Sequence, residues 1–280
     1  MNIVYLMGVL LAFAFVGVGI MVDPGSSPWI SFGDLKHFLD PASALIVVGG
    51  TLAVVIACYP KQARSVVKHF RIMLHANTFD PEATIEELTE LAQIARKNGL
   101  LSLEERGSQQ KDPFFRQAIL LLVDATDPEK VRSILSNDIR QTSERHQEVI
   151  AMYERGSNAA PAFGMIGTLI GLIKMFYNLN TSDMSTIGPD MGLALITTFY
   201  GALLAHVVFN PVAANLAARD EEEILCREII LEGVMAIQSG ENPKFLRERL
   251  LGFMNEKQRE VRTAEPVRKK SRRKKDKGDA

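Results

Sequence analysis

Four stretches of this chain are almost free of charge, and the residues between them repeat apolar positions at helical spacing. Residues 3–22 and 41–60 contain no Lys, Arg, Asp or Glu, and 191–218 contain none either, with His206 the only residue there that could take a positive charge. The stretch 157–179 carries Lys174 alone, near its far end, where a long side chain can reach the headgroups. An α-helix rises 1.5 Å per residue, so about 20 apolar residues cross the hydrocarbon of a bilayer. The pattern predicts four transmembrane helices, two within residues 1–60 and two within 157–218.

Between and beyond these spans the period is again helical. Asp-Pro recurs at Asp40-Pro41, Asp80-Pro81, Asp112-Pro113 and Asp127-Pro128. Asp is a good N-cap and Pro suits the first helical position, so each pair predicts a helix start. After Asp80, Ile85, Leu88, Ala92 and Ala95 form an apolar stripe that Asn98-Gly99 ends. Phe115, Ala118, Ile119 and Leu122 follow Asp112. Val131, Ile134, Leu135 and Ile139 follow Asp127 and open a longer helix into the third span. A short basic helix over 64–74 offers Val66, Val67, Phe70 and Met73 to the membrane surface. Past Pro211 the helix continues through ARDEEEILCREIILEGVMAIQSG, with Ile224, Ile229 or Ile230, Val234 and Ile237 as its packing face. Asn242-Pro243 starts a last helix that ends near Glu256. No strand pattern appears. The expected fold is all-α: a polytopic membrane protein with a helical cytoplasmic domain over 61–156, cytoplasmic C-terminal helices over 219–256 and a basic, disordered tail over 257–280.

Charge orients the chain. The loop from Asp23 to Asp40 has one Lys or Arg, Lys36, and the loop from Asn180 to Gly188 has none, whereas Lys61 to Arg155 holds fourteen. By the positive-inside rule both termini and the middle block are cytoplasmic. The first span lacks a basic leader and a small-residue cleavage site, so a membrane helix rather than a signal peptide is expected there. The tail RKKSRRKKDK (268–277) suits anionic membrane lipid, and no nucleic-acid partner is expected. Cys58 and Cys226 are far apart in sequence and both on the inner side, which points to neither a disulfide nor a metal site.

The chemistry lies in the third and fourth spans. Ala160, Gly164, Thr168 and Gly171 recur at spacings of four, four and three, and Gly167 pairs with Gly171 as GxxxG. Ala194, Thr198, Gly201 and Ala205 make a second small-residue face. Such faces let helix backbones approach closely. They either pack helices together or line a groove around another helix, in which case Thr168, Thr197 and Thr198 offer oxygens to a hard cation such as sodium. Pro161 and Pro211, near the inner ends of these spans, either set a packing angle or act as hinges. GMIGTLIGL (164–172) and ALITTFYGALLAHVVFNP (194–211) contain no carboxylate. An ion crossing here needs an acid from a partner. His206 either bonds a neighbouring helix or relays protons. The histidines His37, His69, His75, His146 and His206 are scattered, with no nucleophile–base or metal-ligand spacing, so no enzyme and no cofactor are expected.

GMIGTLIGL, TTFYGALLAHVVFNP (197–211), VMAIQSGENP (234–243), ARKNGLLSLEE (95–105) and DPASALIVVGGT (40–51) occur in one order and spacing over residues 1–256. Together they resemble the MotA/PomA family of flagellar stator subunits. The resemblance implies a bacterial inner-membrane protein, a pentamer around a dimer of a MotB/PomB-type partner. That partner's single membrane helix carries the ion-binding aspartate. It also implies that cation influx, sodium favoured over proton on the threonines, turns the ring against the rotor protein FliG. Carried over by motif, the rotor contacts are Arg96, Lys97, Glu104 and Glu105, the coupling prolines Pro161 and Pro211, and the ion-path threonines Thr168 and Thr198. Asn158 stands where the sodium-type subunit has an aspartate. On the residues alone, Arg96 and Lys97 at a helix end and glutamates after a turn also suit an ordinary solvated surface. Two other readings remain: an ExbB/TolQ-type energiser, which typically has three spans, and a non-conducting membrane scaffold.

Overall fold

The computed structural model describes residues 3–22, 33–74, 79–179 and 187–254. Most of the two expected outward loops, the tail and the side chains of Phe70 and Met73 lie outside the described residues. The architecture is all-α. Two compact units divide it: Met1–Asn77 with Glu144–Arg219, and Thr78–Ser143 with Asp220–Ala280.

The first unit begins with α1 (Ile3–Met21), apolar throughout. A 3-10 turn (Asp34–Phe38) leads to α2 (Pro41–Ala44), a π-helical segment (Leu45–Gly49) and α3 (Gly50–Cys58). Asp40 caps α2, its carboxylate accepting from the Ser43 amide at 2.7 Å. α4 (Pro60–Ala63) and α5 (Val66–Leu74) follow. The unit is completed by the later part of α9 (Pro128–Leu179), α10 (Ile187–Leu203), a second π segment (Leu204–Phe209) and the start of α11 (Asn210–Gln238). Val55, Ile150, Met152, Tyr153, Phe209 and Val212 form its buried core. Its outside is apolar: Phe15 is 72% exposed, Leu45 75%, Ile173 67% and Leu195 63%. Water would penalise such a surface, and lipid would not. Among the described residues, three helical stretches are long and apolar enough to cross a membrane: Leu35–Cys58, one within Pro128–Leu179 and one within Ile187–Gln238.

The second unit uses the first turns of α9, the rest of α11, and α6 (Pro81–Asn98), α7 (Glu104–Ser108), α8 (Pro113–Val123) and α12 (Pro243–Leu251). Asp80, Asp112, Asp127 and Asn242 each accept a hydrogen bond from the amide two residues on, capping the helices that start at the following prolines. The core gathers Ile85, Leu88, Ile119, Leu122, Leu135 and Ile229 at 0–1% exposure. Ile229 and Ile230 are both buried, while Ile134, one position from Leu135, is 41% exposed. Thus Ile134 leaves the stripe on which the sequence places it, because Val131 and Leu135 already fill that face. Gly99 ends α6 at φ +84° and Gly240 follows α11 at φ +73°, both left-handed positions that favour glycine. α12 stops at Leu251, about one turn short of Glu256.

One buried histidine ties α5 to α9. His69 is 8% exposed, its Nδ1 3.3 Å from the Tyr153 hydroxyl and its ring edge-on to the tyrosine. Desolvation lowers its pKa from the ordinary 6.5. The unfolded chain therefore takes up a proton that the folded chain resists. This contribution to stability is present above about pH 6.5 and is lost as pH falls below it. We expect the thermal midpoint of detergent-solubilised protein to fall between about pH 7 and 5.5, and His69→Gln to flatten that slope. An unchanged slope in the variant would assign the pH dependence to other groups.

Candidate functional site

The two small-residue faces meet each other. α9 and α10 run antiparallel, and Gly164, Gly167, Gly171 and Gly201 each mark a place where a side chain would collide. A Cβ on Gly171 would lie 2.7 Å from the Asp190 carbonyl oxygen, and one on Gly164 2.9 Å from that of Thr197. On Gly167 it would lie 2.4 Å from the Thr197 methyl, and on Gly201 2.7 Å from the Ala160 carbonyl oxygen. Beyond the Ala160–Gly201 contact, Ser157 donates to Asn210 Oδ1 at 2.6 Å. Gly50 brings α3 in by the same device, against the ring of Phe163.

Backbones this close leave the threonines at three different depths. Thr197 is fully buried, facing Gly167, and its hydroxyl donates to the Leu193 carbonyl of its own helix at 2.9 Å. Thr168 is half-buried and Thr198 exposed. Their hydroxyls are 2.6 Å apart, close enough for one to donate to the other, and the Ala194 carbonyl oxygen lies 3.0 Å from the Thr168 hydroxyl and 3.3 Å from that of Thr198, within reach of the remaining proton. Two hydroxyl oxygens and one carbonyl oxygen thus converge at the exposed edge of the helix pair. Hard cations take such neutral oxygens, but a full shell needs about six, so water and an outside carboxylate must complete it. Among the described residues no group of three His, Cys, Asp or Glu could hold a metal ion.

Both prolines lie toward the Ala160–Gly201 end of this contact. Pro161 lies within α9, and its Cα sits where a Gly201 side chain would go, at 3.2 Å. Pro211 stands two residues past the end of the π segment Leu204–Phe209, as the second residue of α11. A π turn and a proline both interrupt the i to i−4 ladder, so helix hydrogen bonding is irregular from Leu204 to Pro211. His206 sits inside that irregular stretch, exposed, its Nδ1 3.2 Å from Asn210 Nδ2. Asn158 is exposed.

The charged turn belongs to the other unit. Arg96 and Lys97 end α6, Gly99 reverses the chain, a 3-10 turn (Leu100–Leu103) follows, and Glu104 and Glu105 open α7. Each charge stands at the helix end whose dipole it complements. All four side chains are exposed, and among the described residues none forms an ion pair.

Four features of these sites escape sequence reading. Leu101 is 74% exposed between the two charge pairs, whereas Leu103 is fully buried; three leucines within four residues could have warned that one must face out. Tyr200 donates to the Phe38 carbonyl at 2.5 Å and accepts from the Asp40 amide at 3.2 Å, fastening α10 to the start of the second span across 160 residues. Asp190, in the first turn of α10, accepts from Asn178 at 2.7 Å and puts a carboxylate one helical turn from Ala194. The Ser157–Asn210 bond pairs two ordinary polar residues with no motif between them.

Comparison with known proteins agrees with this geometry. Residues 106–229 match the profile of the MotA/TolQ/ExbB proton channel family. The chain is 39% identical over 250 residues to the uncharacterized protein YtxD of Bacillus subtilis, covering 88% of each chain. It is 38% identical over 260 residues to the chemotaxis protein PomA of Vibrio alginolyticus, covering 92% of this chain and 98% of that one. Its fold matches the flagellar MotAB stator complex from Bacillus subtilis with a TM-score of 0.80 at 28% identity, over 93% of this chain and 98% of the other. The chain belongs to the MotA/TolQ/ExbB family, and within it to the motility protein A subunits of the flagellar stator, multi-pass inner-membrane proteins that are not enzymes.

Proposed function

We propose that this subunit, with a MotB-type partner, couples inward cation flow to torque on the rotor, and that the cation is sodium rather than the proton. The observation that carries the reading is the Thr168–Thr198–Ala194 oxygen cluster at the edge of a helix pair whose apolar segments, 164–172 and 194–211, hold no carboxylate. Neutral oxygens can replace part of a sodium ion's water shell, and a partner aspartate would supply the charge. The same aspartate could carry a proton without further ligands, whereas a sodium ion needs additional oxygens around it, which the two hydroxyls supply. α1 is the fourth span, both termini are cytoplasmic, and five copies ring the partner dimer; the apolar outer surface and the basic inner-side block support this arrangement. No prosthetic group is required.

The test is single-motor torque against external sodium, at fixed pH and membrane potential, in cells whose only stator is this subunit with its partner. Torque that rises with sodium and saturates supports the proposal. Torque indifferent to sodium but abolished by a protonophore makes the motor proton-driven and reduces the hydroxyls to helix packing. No motility with any compatible partner would favour an energiser or a scaffold instead.

The rotor contact is the Arg96, Lys97, Glu104 and Glu105 turn, meeting FliG by charge complementarity. Exposed charges contribute little to folding. Arg96→Glu is therefore expected to leave membrane levels unchanged and to reduce torque several-fold, since steering between charged surfaces depends on sign. Immunoblots and tethered-cell rotation measure both. Unchanged torque would remove Arg96 from the contact.

A further inference from the structure

Neither the oxygen cluster nor the charged turn uses α4 and α5. This segment starts within two residues of the end of α3 at Cys58 and is uniformly basic: Lys61, Arg64, Lys68 and Arg71 occur with no acidic residue before Asp80. Its two faces differ. Tyr59, Ala63 and Val66 pack against the core of Val55, Tyr153, Phe209 and Val212, and His69 is buried on Tyr153. On the other side Lys61, Arg64, Lys68 and Arg71 are all exposed, and among them Val67 is 82% and Ile72 53% exposed. Within α5, Lys68 with Ile72 and Val67 with Arg71 are i, i+4 pairs on one exposed face, and Lys61 in α4 and Arg64 in the turn after it are exposed beside them. Arg219 donates to the Ile72 carbonyl at 2.6 Å, fixing the end of α5.

A solvated basic face would account for the four charges but not for the exposed valine and isoleucine. A second copy of this chain would need acidic side chains opposite them. A bilayer surface meets both requirements at once: headgroup phosphates for the cations and the acyl boundary for the apolar pair. Continuity with a membrane span sets the segment at that depth.

We propose that α4–α5 is a docking surface for anionic phospholipid of the leaflet next to it. Lys61, Arg64, Lys68 and Arg71 bind phosphodiester headgroups, while Val67 and Ile72 enter the acyl boundary. The lipid contact thereby bears on α9 and α11 through the face that packs on Tyr153 and Val212. The proposal rests on the membrane assignment and is independent of which cation flows.

The test uses full-length protein in neutral detergent and follows its thermal midpoint during titration with phosphatidylglycerol, phosphatidylcholine or inorganic phosphate. Phosphatidylglycerol is expected to raise the midpoint in a salt-sensitive way, and the other two to leave it unchanged. The Lys61→Gln, Arg64→Gln, Lys68→Gln, Arg71→Gln protein should need about tenfold more phosphatidylglycerol for the same shift. Val67→Ser with Ile72→Ser should weaken the response several-fold without moving the lipid-free midpoint. An identical titration in the glutamine protein would overturn the proposal, as would an equal response to inorganic phosphate. Failure of the glutamine protein to assemble in any lipid, with the serine protein equally defective, would mark the face as a contact between copies and also overturn it. Neither motility nor ion flux enters the readout, so the result stands apart from the stator reading.

Discussion

Gly201→Val is expected to empty the membrane of functional subunit and abolish motility. At this position the nearest atoms to a new Cβ are backbone: the Ala160 carbonyl oxygen at 2.7 Å and Pro161 Cα at 3.2 Å. No rotamer can relieve a clash with backbone, so α9 and α10 must separate. Overpacking of this kind costs about 1–3 kcal/mol even where neighbours can shift. Separation also breaks the Thr168–Thr198 bond at 2.6 Å, because both hydroxyls depend on the same close approach. A loss of that size lowers the folded population several-fold to a hundredfold, and degradation amplifies it. Gly192→Val, on the same helix but with nothing within 4 Å, is the matched control and should accumulate normally. Immunoblots of membrane fractions and spreading in soft agar read out both variants. Equal damage at Gly192 would mean that its open face is covered in the assembly, and normal behaviour of Gly201→Val would refute the close packing itself.

Helix starts were legible because they are local. An Asp or Asn before a proline specifies its own hydrogen bond, as Asp80, Asp112, Asp127 and Asn242 each do. Buried stripes were legible where the period held, from Ile85 and Leu88 to Val234 and Ile237. The failure at Ile134 has the same origin: a 3.6-residue period cannot decide between adjacent apolar positions when only one can face the core. The partner of a small-residue face was not legible. Spacing shows that a backbone comes close, but not whose, and the third-span face turned out to meet the fourth-span face of the same chain. Thr197 and Thr198 are adjacent in sequence and look equivalent there. A rotation of about 100° per residue buries one against Gly167 and leaves the other at the edge with Thr168. Long-range polar contacts such as Tyr200 with Phe38 lay beyond any local signal.

That same rotation makes the oxygen cluster separable from the packing that builds it. Valine has nearly the shape of threonine, so Thr168→Val with Thr198→Val removes two hydroxyls and keeps the helix contact. The Ala194 carbonyl lies inside α10 and keeps its helical amide partner, with the Thr197 hydroxyl also within 3.0 Å, so no buried acceptor is left bare. Replacing both partners of a hydrogen bond by apolar groups of the same shape is close to neutral for stability. Membrane levels should therefore match the wild type. Conduction should not, because a hard cation loses two of its oxygen ligands, and the weakest plausible loss, about 1 kcal/mol at each, multiplies to more than tenfold. The expected result is a half-saturating sodium concentration raised at least about tenfold, with torque lost at the sodium level that half-saturates the wild type. Thr168→Ser with Thr198→Ser, which restores both oxygens, should recover the sodium response. Full torque with an unaltered sodium curve in the valine pair would show that the hydroxyls only tie α9 to α10. Lost torque that serine fails to recover would place the requirement in the threonine methyl groups, and hence in packing rather than in the ion path.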